Sequence, residues 1–344
     1  MGVAFGELIT TKEITIESLQ GKIIAVDAMN MLYQFVTTIR QHDGTPLKDS
    51  HGNITSHLTG LFARCTKLME KGLKLVFVFD GEMPPLKKLE RERRLKLKEE
   101  AASAFAEAEA SNNITEMRKF ASRSARVTTE MINESKELLE GLGIPVVQAP
   151  SEGEAQAAYM VAKGDCDYVA SQDFDCLIYG APKIVRNLSL SQKRKKINAL
   201  TYKTILPEVL TLDGTLKQLD LNLDQLRSLS IIIGTDFNIG GVKGLGPKKG
   251  LNIVKEFKDS KTIFSNIKFN EISSVPWEDI YNTISNMKHI DEYNLVWNEP
   301  NALKIKELLV EKHDFSQNRV SAGLEQIESS KKLIQQTSLG KFFN

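Results

Sequence analysis

Seven carboxylates occur in short groups along the chain, and most of them follow an apolar run. Asp27 ends the run 22–26 and Asp80 ends 75–79. Glu152 and Glu154 follow Pro150-Ser151, Asp173 and Asp175 follow 168–170, and Asp236 follows Ile231-Ile232-Ile233-Gly234-Thr235. Apolar runs of this kind read as buried parallel strands, and open α/β sheets hold their ligands beyond the carboxyl ends of such strands. Acids gathered at one sheet edge repel one another unless cations lie among them. An all-oxygen donor set suits a hard divalent metal, and paired metals suit a phosphodiester substrate.

Taken singly, several acids have plainer readings. Asp27 can cap the helix that follows, and Asp80-Gly81 can be a turn. Ser151-Glu152-Gly153-Glu154 fits a capping box, with Ser151 at the cap and Glu154 three residues on. Asp173 and Asp175 are two apart, so an extended segment would point both the same way. The metal reading rests on the combination, because five separate segments supply acids at strand ends or helix starts.

A basic face follows Asp80. Lys87, Arg91, Arg94 and Lys98 recur at the spacing of one helical face. Such a charge run is by default a solvated surface. Residues 87–98 carry seven Lys/Arg against two Glu, however, too lopsided for ion-pair lacing. A cationic helix beside a metal site can hold a scissile phosphate. Gly241-Val242-Lys243-Gly244-Leu245-Gly246-Pro247-Lys248-Lys249-Gly250 is neither a P-loop nor a dinucleotide fingerprint. It reads as a tight hairpin between two helices, the second opening at Pro247. The plain alternative is an ordinary Gly turn; the binding reading offers backbone amides, a helix end, Lys248 and Lys249 to a DNA phosphate. Near the end, Gln336, Leu339, Phe342 and Phe343 form Gln-x-x-Leu-x-x-Phe-Phe. A 3₁₀ turn would set Leu339 and Phe342 on one side, as a docking peptide requires.

These residues need a scaffold. Strands over about 22–27 and 73–79 flank a helix over roughly 54–71, and further runs follow at 144–148, 167–171 and 183–188. Helices over about 128–142 and 152–163 lie between, so the alternation predicts a mostly parallel α/β sheet flanked by helices. Between Asp80 and Thr128 the pattern changes to a Lys/Arg/Glu/Ala-rich helix, 86–110, a turn at Asn112-Asn113 and a second helix, 114–126. This insert has little to bury and is expected to project from the sheet. After about 240 the chain is helical, and after about 330 it reads as an exposed tail.

At 344 residues, 41% hydrophobic and 26% charged, the chain can build a large packed core. The net charge of +1 does not single out nucleic acid, since the charge is segmented into acidic strand ends and basic helices. Cys65, Cys166 and Cys176 lack CxxC spacing and read as reduced thiols rather than disulfides or a zinc site. No stretch is long and apolar enough for a membrane span, and residues 1–6 lack the features of a signal peptide.

With these motifs in this order, the chain resembles the flap endonuclease family of structure-specific 5′ nucleases, of archaeal type. The resemblance runs over nearly the whole length. It is carried by Val26-Asp27-Ala28, Thr55-Ser56-His57-Leu58, Phe77-Val78-Phe79-Asp80-Gly81, Ala149 to Ala155, Asp173-Phe174-Asp175-Cys176-Leu177, Gly234-Thr235-Asp236 and Gly244-Leu245-Gly246-Pro247-Lys248. Met83, before the proline pair, departs from the pattern, although Lys87 and Arg94 keep their distances from Asp80.

The resemblance implies a PIN/5′-nuclease-like fold and a division of the chain. Residues 1–100 would be an N-terminal nuclease region, 84–126 a helical arch, and 116–258 an internal nuclease region with a helix-hairpin-helix at about 230–258. Residues 259–330 would be a helical region and 331–344 a flexible tail. It implies that Asp27, Asp80, Glu152, Glu154, Asp173, Asp175 and Asp236 hold two Mg²⁺, with Lys87 and Arg94 on the scissile phosphate. Tyr33 would stack on a base, Arg40 would lie nearby, and Thr55 would meet a one-nucleotide 3′ flap. Gly244, Gly246, Lys248 and Lys249 would grip the duplex, with a monovalent cation at the hairpin. The terminal octet would bind a sliding clamp (PCNA), and Gly2 would lie close to the site after Met removal.

The activity implied is hydrolysis at 5′ flap junctions, with 5′-3′ exonuclease activity, in Okazaki fragment maturation and base excision repair. The expected state is a monomer working on branched DNA inside the cell, nucleoid-associated, or nuclear if eukaryotic. Three rivals remain: a sister 5′-3′ exonuclease, an Asp-x-Asp phosphatase using Asp173 and Asp175, and a non-catalytic DNA-binding scaffold.

Overall fold

A computed structural model of the chain describes residues 3–189, 193–195 and 202–340. Its centre is a seven-stranded sheet. The strands are β1 (Lys12–Glu13), β2 (Ile23–Asp27), β3 (Lys74–Phe79), β4 (Val146–Gln148), β5 (Tyr168–Ala170) and β6 (Lys183–Arg186); β7 (Lys193–Lys195) and β8 (Tyr202–Thr204) form a separate ribbon, and β9 (Glu208–Thr211) returns to the sheet. The order is β1-β9-β6-β5-β2-β3-β4. Five strands, β4-β3-β2-β5-β6, run parallel, and β9 and β1 close one edge antiparallel.

The predicted sheet is therefore present. Its parallel strands are buried on both faces, which is why they read as continuous apolar runs. In β3, Val76 and Val78 join one core cluster while Leu75, Phe77 and Phe79 join the other. The helices Ala28–Thr38, Ser56–Glu70 and Thr129–Gly141 cover the second cluster's face, and Gly153–Lys163 and Leu223–Ile233 cover the first.

Three expectations are corrected. The run Ile231-Ile232-Ile233 is not a strand but the end of the helix Leu223–Ile233. Asn222 and Gln225 form a capping box at its start, and Gly234, at φ 112°, ends it. A short apolar run fits a buried helix end as well as a strand, and here the cap decides. Second, the arch does not simply project. Its helices Lys88–Ala110 and Ile114–Ala121 pack on each other, and Arg118 Nε donates to the His42 carbonyl at 2.7 Å, seating the second helix on the loop at 40–46. Third, the helix Gln317–Gly340 runs on past 330 where a tail was expected; no proline or glycine interrupts 331–339. The Leu339–Phe342 turn reaches outside the described residues, as do Phe342, Phe343 and Gly2.

A buried ionic network ties the C-terminal part to the sheet core. Glu134 accepts from His57 Nε2 (3.1 Å) and from His313 Nε2 (2.9 Å), and His313 Nδ1 meets Asp49 at 2.8 Å. Lys312 adds an ion pair to Glu134 at 2.9 Å. No helix among the described residues is long and apolar enough to cross a membrane, and all three cysteines are free and buried.

Candidate active site

The parallel register brings the strand-end acids together. Asp27 is the last residue of β2 and pairs in register with Val78 of β3, one strand-end away from Asp80. Asp173 and Asp175 follow β5, which pairs with β2 on its other side. Glu152 and Glu154 begin the helix after β4. Gly153 closes this corner: its amide donates to Asp80 Oδ1 at 2.7 Å, and a Cβ there would stand 2.8 Å from that oxygen. Asp236 arrives from outside the sheet, in the turn after Gly234.

The structure resolves the plainer readings. Asp27 does cap its helix, accepting from the Asn30 amide at 3.0 Å, yet it is buried among the other acids. The capping box at Ser151 is absent: Glu152 is the cap residue, Ser151 Oγ donates to the Glu82 carbonyl, and Glu154 Oε1 accepts from Ser171 Oγ at 2.8 Å. Glu154 is thus turned into the site and away from its own helix start. Asp173 and Asp175 are not in an extended segment, since Asp175 opens the short helix Asp175–Ile178. Asn30 Nδ2 holds Asp173 at 3.0 Å and the Val3 amide holds Asp175 at 2.6 Å.

The electrostatics is that of a cluster short of positive charge. Burial, then repulsion from Asp80 and Asp173, pushes Asp27 up to about 8. Burial, with Asp173 and Asp236 adding repulsion, pushes Asp175 up to about 7. Burial raises Asp80 and Glu152, and burial with Asp175 and Asp27 raises Glu154 well above the carboxylate range. The arch supplies the opposing charge. Lys87 Nζ lies 2.5 Å from Glu152 and 3.2 Å from Asp236, and Arg94 NH2 lies 2.5 Å from Asp236. Burial alone would depress Lys87, but Glu152 and Asp236 hold its ammonium firmly protonated.

Two observations bear on metal and pull apart. Among the described residues no three His, Cys, Asp or Glu form a ready cage. Against that, the buried acids repel one another even with Lys87 and Arg94 set against them. The repulsion carries more weight, because carboxylates rotate about their side chains while the backbone positions that crowd them are fixed. The all-oxygen donor chemistry fits a hard divalent cation.

The other predicted residues divide. Tyr33 stands at the edge of the site, 38% exposed, with Lys98 Nζ 4.6 Å from its ring centre. Arg40 is tied to its own loop, donating to the carbonyls of Val36 and Gly44. Thr55 is buried at the start of the helix Ser56–Glu70. Gly244, Gly246, Lys248 and Lys249 lie in the turn and first turn of the helix Pro247–Phe257, with both lysines exposed. Of the anticipated basic face, Lys87, Arg94 and Lys98 turn inward while Arg91 is exposed. Glu90, on the same helix, was not anticipated. It is covered by Arg93 and Arg94 and 4% exposed. Its signal lies in the i, i+3 and i, i+4 spacing to those arginines.

A parallel sheet that gathers acids at its carboxyl edge beneath a basic two-helix arch, with a helix-hairpin-helix alongside, is the architecture of the structure-specific 5′ nucleases. The XPG N-terminal domain matches residues 4–101 and the XPG I-region matches residues 143–236. Flap endonuclease 1 of Pyrococcus furiosus is 49% identical over 343 residues, covering 100% of this chain and 99% of that protein. The solved flap endonuclease-1 of Methanococcus jannaschii is 38% identical, with a TM-score of 0.76 over 96% of this chain and 98% of that one. The catalytic core of Rad2, solved in complex with a DNA substrate, shares the fold at 24% identity and a TM-score of 0.70, over 95% of this chain and 100% of that one. The chain belongs to the flap endonuclease 1 family, and its activity is that of a 5′ structure-specific nuclease.

Proposed function

We propose that the chain is a Mg²⁺-dependent enzyme that hydrolyses the phosphodiester at the base of a 5′ single-stranded flap, leaving a 5′-phosphate and a 3′-hydroxyl. The observation that carries this is the contact of Lys87 and Arg94, from the arch, with Glu152 and Asp236 of the acid cluster. It sets phosphate-binding cations and metal-binding anions at one point. Asp27, Asp80, Glu152, Glu154, Asp173, Asp175 and Asp236 would hold two Mg²⁺. When bound, the ions stabilise the attacking and leaving oxygens of an in-line displacement.

The chain's own residues do the positioning. Lys87 and Arg94, now paired with Glu152 and Asp236, would turn to the scissile phosphate once those acids' charge is otherwise met. Tyr33 offers an aromatic face for the base next to the cut, since stacking accepts any base. The amides at Gly244 and Gly246, with Lys248 and Lys249, hold the duplex backbone without reading sequence, aided by a monovalent cation. Arg40 and Thr55 would border the same DNA path only through their backbone neighbours, since Arg40 is tied to its own loop and Thr55 is buried. The octet from Gln336 to Phe343 docks on a sliding clamp, which fits a role in Okazaki fragment maturation and base excision repair. A 5′-3′ exonuclease activity follows from the same site acting at a nick. Incubation with end-labelled 5′-flap, nicked and single-stranded DNA, with and without Mg²⁺, tests the reading; the flap substrate should be cut fastest and only with metal.

A further inference from the structure

We propose that Glu90 is a positioning residue: it fixes the guanidinium of Arg94 so that its far end points into the acid cluster, where the scissile phosphate is bound. The inference rests on the role given to Arg94 under the proposed function. Glu90 sits in the first turn of the arch helix Lys88–Ala110, a helix that buries little else. Its Oε1 accepts from Arg94 Nε at 2.5 Å. Its Oε2 accepts from Arg93 Nε at 2.7 Å, and Oε1 also from Arg93 NH2 at 2.9 Å. Arg94 is therefore gripped at both ends, by Glu90 at Nε and by Asp236 at NH2.

A free arginine has many rotamers, and a phosphate-binding guanidinium is useful in few of them. With Nε pinned, the remaining rotation is small and NH2 keeps its direction when Asp236 turns to metal. Glu90 cannot serve by touching the substrate, because a carboxylate repels a phosphate. Its effect should therefore fall on the rate of the bound complex and leave affinity alone, and misplacement on the 1 Å scale is worth up to about 10²-fold. The plain alternative, a helix-stabilising ion pair, predicts a change in melting temperature and none in rate. Glu90 itself is buried, 4% exposed, so some loss of stability on its removal is common to both readings and the rate separates them.

The test compares single-turnover cleavage of saturating 5′-flap DNA, flap affinity and melting temperature for the full chain, Glu90→Gln, Arg93→Ala, Arg94→Ala and the Glu90→Gln/Arg94→Ala pair. Glu90→Gln should lower the rate about tenfold with affinity unchanged, and that loss of rate should not deepen once Arg94 is gone. Arg93→Ala should cleave within about twofold of the full chain, because Arg93 only shares the carboxylate. A wild-type rate for Glu90→Gln, a full additional loss in the double variant, or an equal loss in Arg93→Ala would each overturn the proposal. If Arg94→Ala itself cleaved normally, the assignment of Arg94 would fall first, and Glu90 with it. A loss in Arg94→Ala beside an unaffected Glu90→Gln sinks only the role of Glu90.

Discussion

Lys87 Nζ lies 2.5 Å from a carboxylate oxygen of Glu152, so the acid cluster meets a cation of the protein's own that is carried on the arch. The arch and the acidic edge of the sheet are thereby one electrostatic unit. Positive charge added to the acids from another source frees Lys87, and negative charge removed from them strands it. That coupling, and the buried network that braces the other side of the sheet, both have measurable consequences.

Asp175 is buried, held by the Val3 amide and raised by its neighbours. Asp175→Asn keeps the shape and removes one metal-directed charge. Losing several kcal/mol of transition-state stabilisation corresponds to a fall of about 10³-fold or more in cleavage. Flap-DNA affinity should stay within a few-fold of the parent, since binding is spread over the hairpin and arch. Quench-flow cleavage and fluorescence binding on the same substrate check this, and near-normal turnover would remove Asp175 from the site.

The raised acids make stability depend on pH in a stated direction. Asp27 at about 8 and Asp175 at about 7 bind protons more tightly folded than unfolded. Their folded form is therefore favoured at low pH, and stability falls as pH rises from about 4 through 8. Divalent metal bound by these acids would replace those protons and flatten the fall. Melting curves in chelator and in Mg²⁺ across this range check it; parallel pH profiles would mean that metal does not bind these acids.

The network at Glu134 should behave in the opposite sense. Burial opposes its charge, but hydrogen bonds from His57 and Lys312 and the charges of His313 and Lys312 pull it down to about 2. Its contribution is present above the ordinary glutamate value and is lost as pH falls toward 2. Glu134→Gln breaks a buried pair and should cost about 3 kcal/mol, read as a drop in denaturation midpoint with cleavage by the remaining folded enzyme unchanged. An unaltered midpoint would make the network decorative.

Much of this site is legible in the amino-acid sequence. The parallel strands announce themselves because burial on both faces leaves only apolar residues in them, so the acids that end them stand out. The hairpin is legible too, since Gly-Pro-Lys chemistry fits few other conformations. Asp236 does come to lie against Lys87 and Arg94, but from a helix end and not a strand, because three isoleucines fit either alike. Glu154 carries a false capping signature, as Ser151 finds the Glu82 carbonyl instead. The short antiparallel β1 and β9 have no periodicity to read. The pairing of His57 with Glu134 and His313 joins residues distant in sequence, where a lone histidine carries no signal.

Removing residues 336–344 should leave cleavage of flap DNA unchanged and abolish its stimulation by a sliding clamp. The helix Gln317–Gly340 already includes the first residues of the octet, so the motif begins on a helical backbone. Clamp binding by calorimetry, with the full and shortened chains, checks the assignment. Undiminished affinity after truncation would place the docking surface elsewhere.

The decisive measurement is the product map from 5′-flap DNA labelled at the flap end, digested by the full chain in Mg²⁺ and in chelator. The cut should fall at the flap junction, with a 3′-hydroxyl on the released strand and no product without divalent metal. Cleavage that persisted in chelator, or that ignored the junction in favour of unbranched DNA, would refute a metal-dependent flap endonuclease.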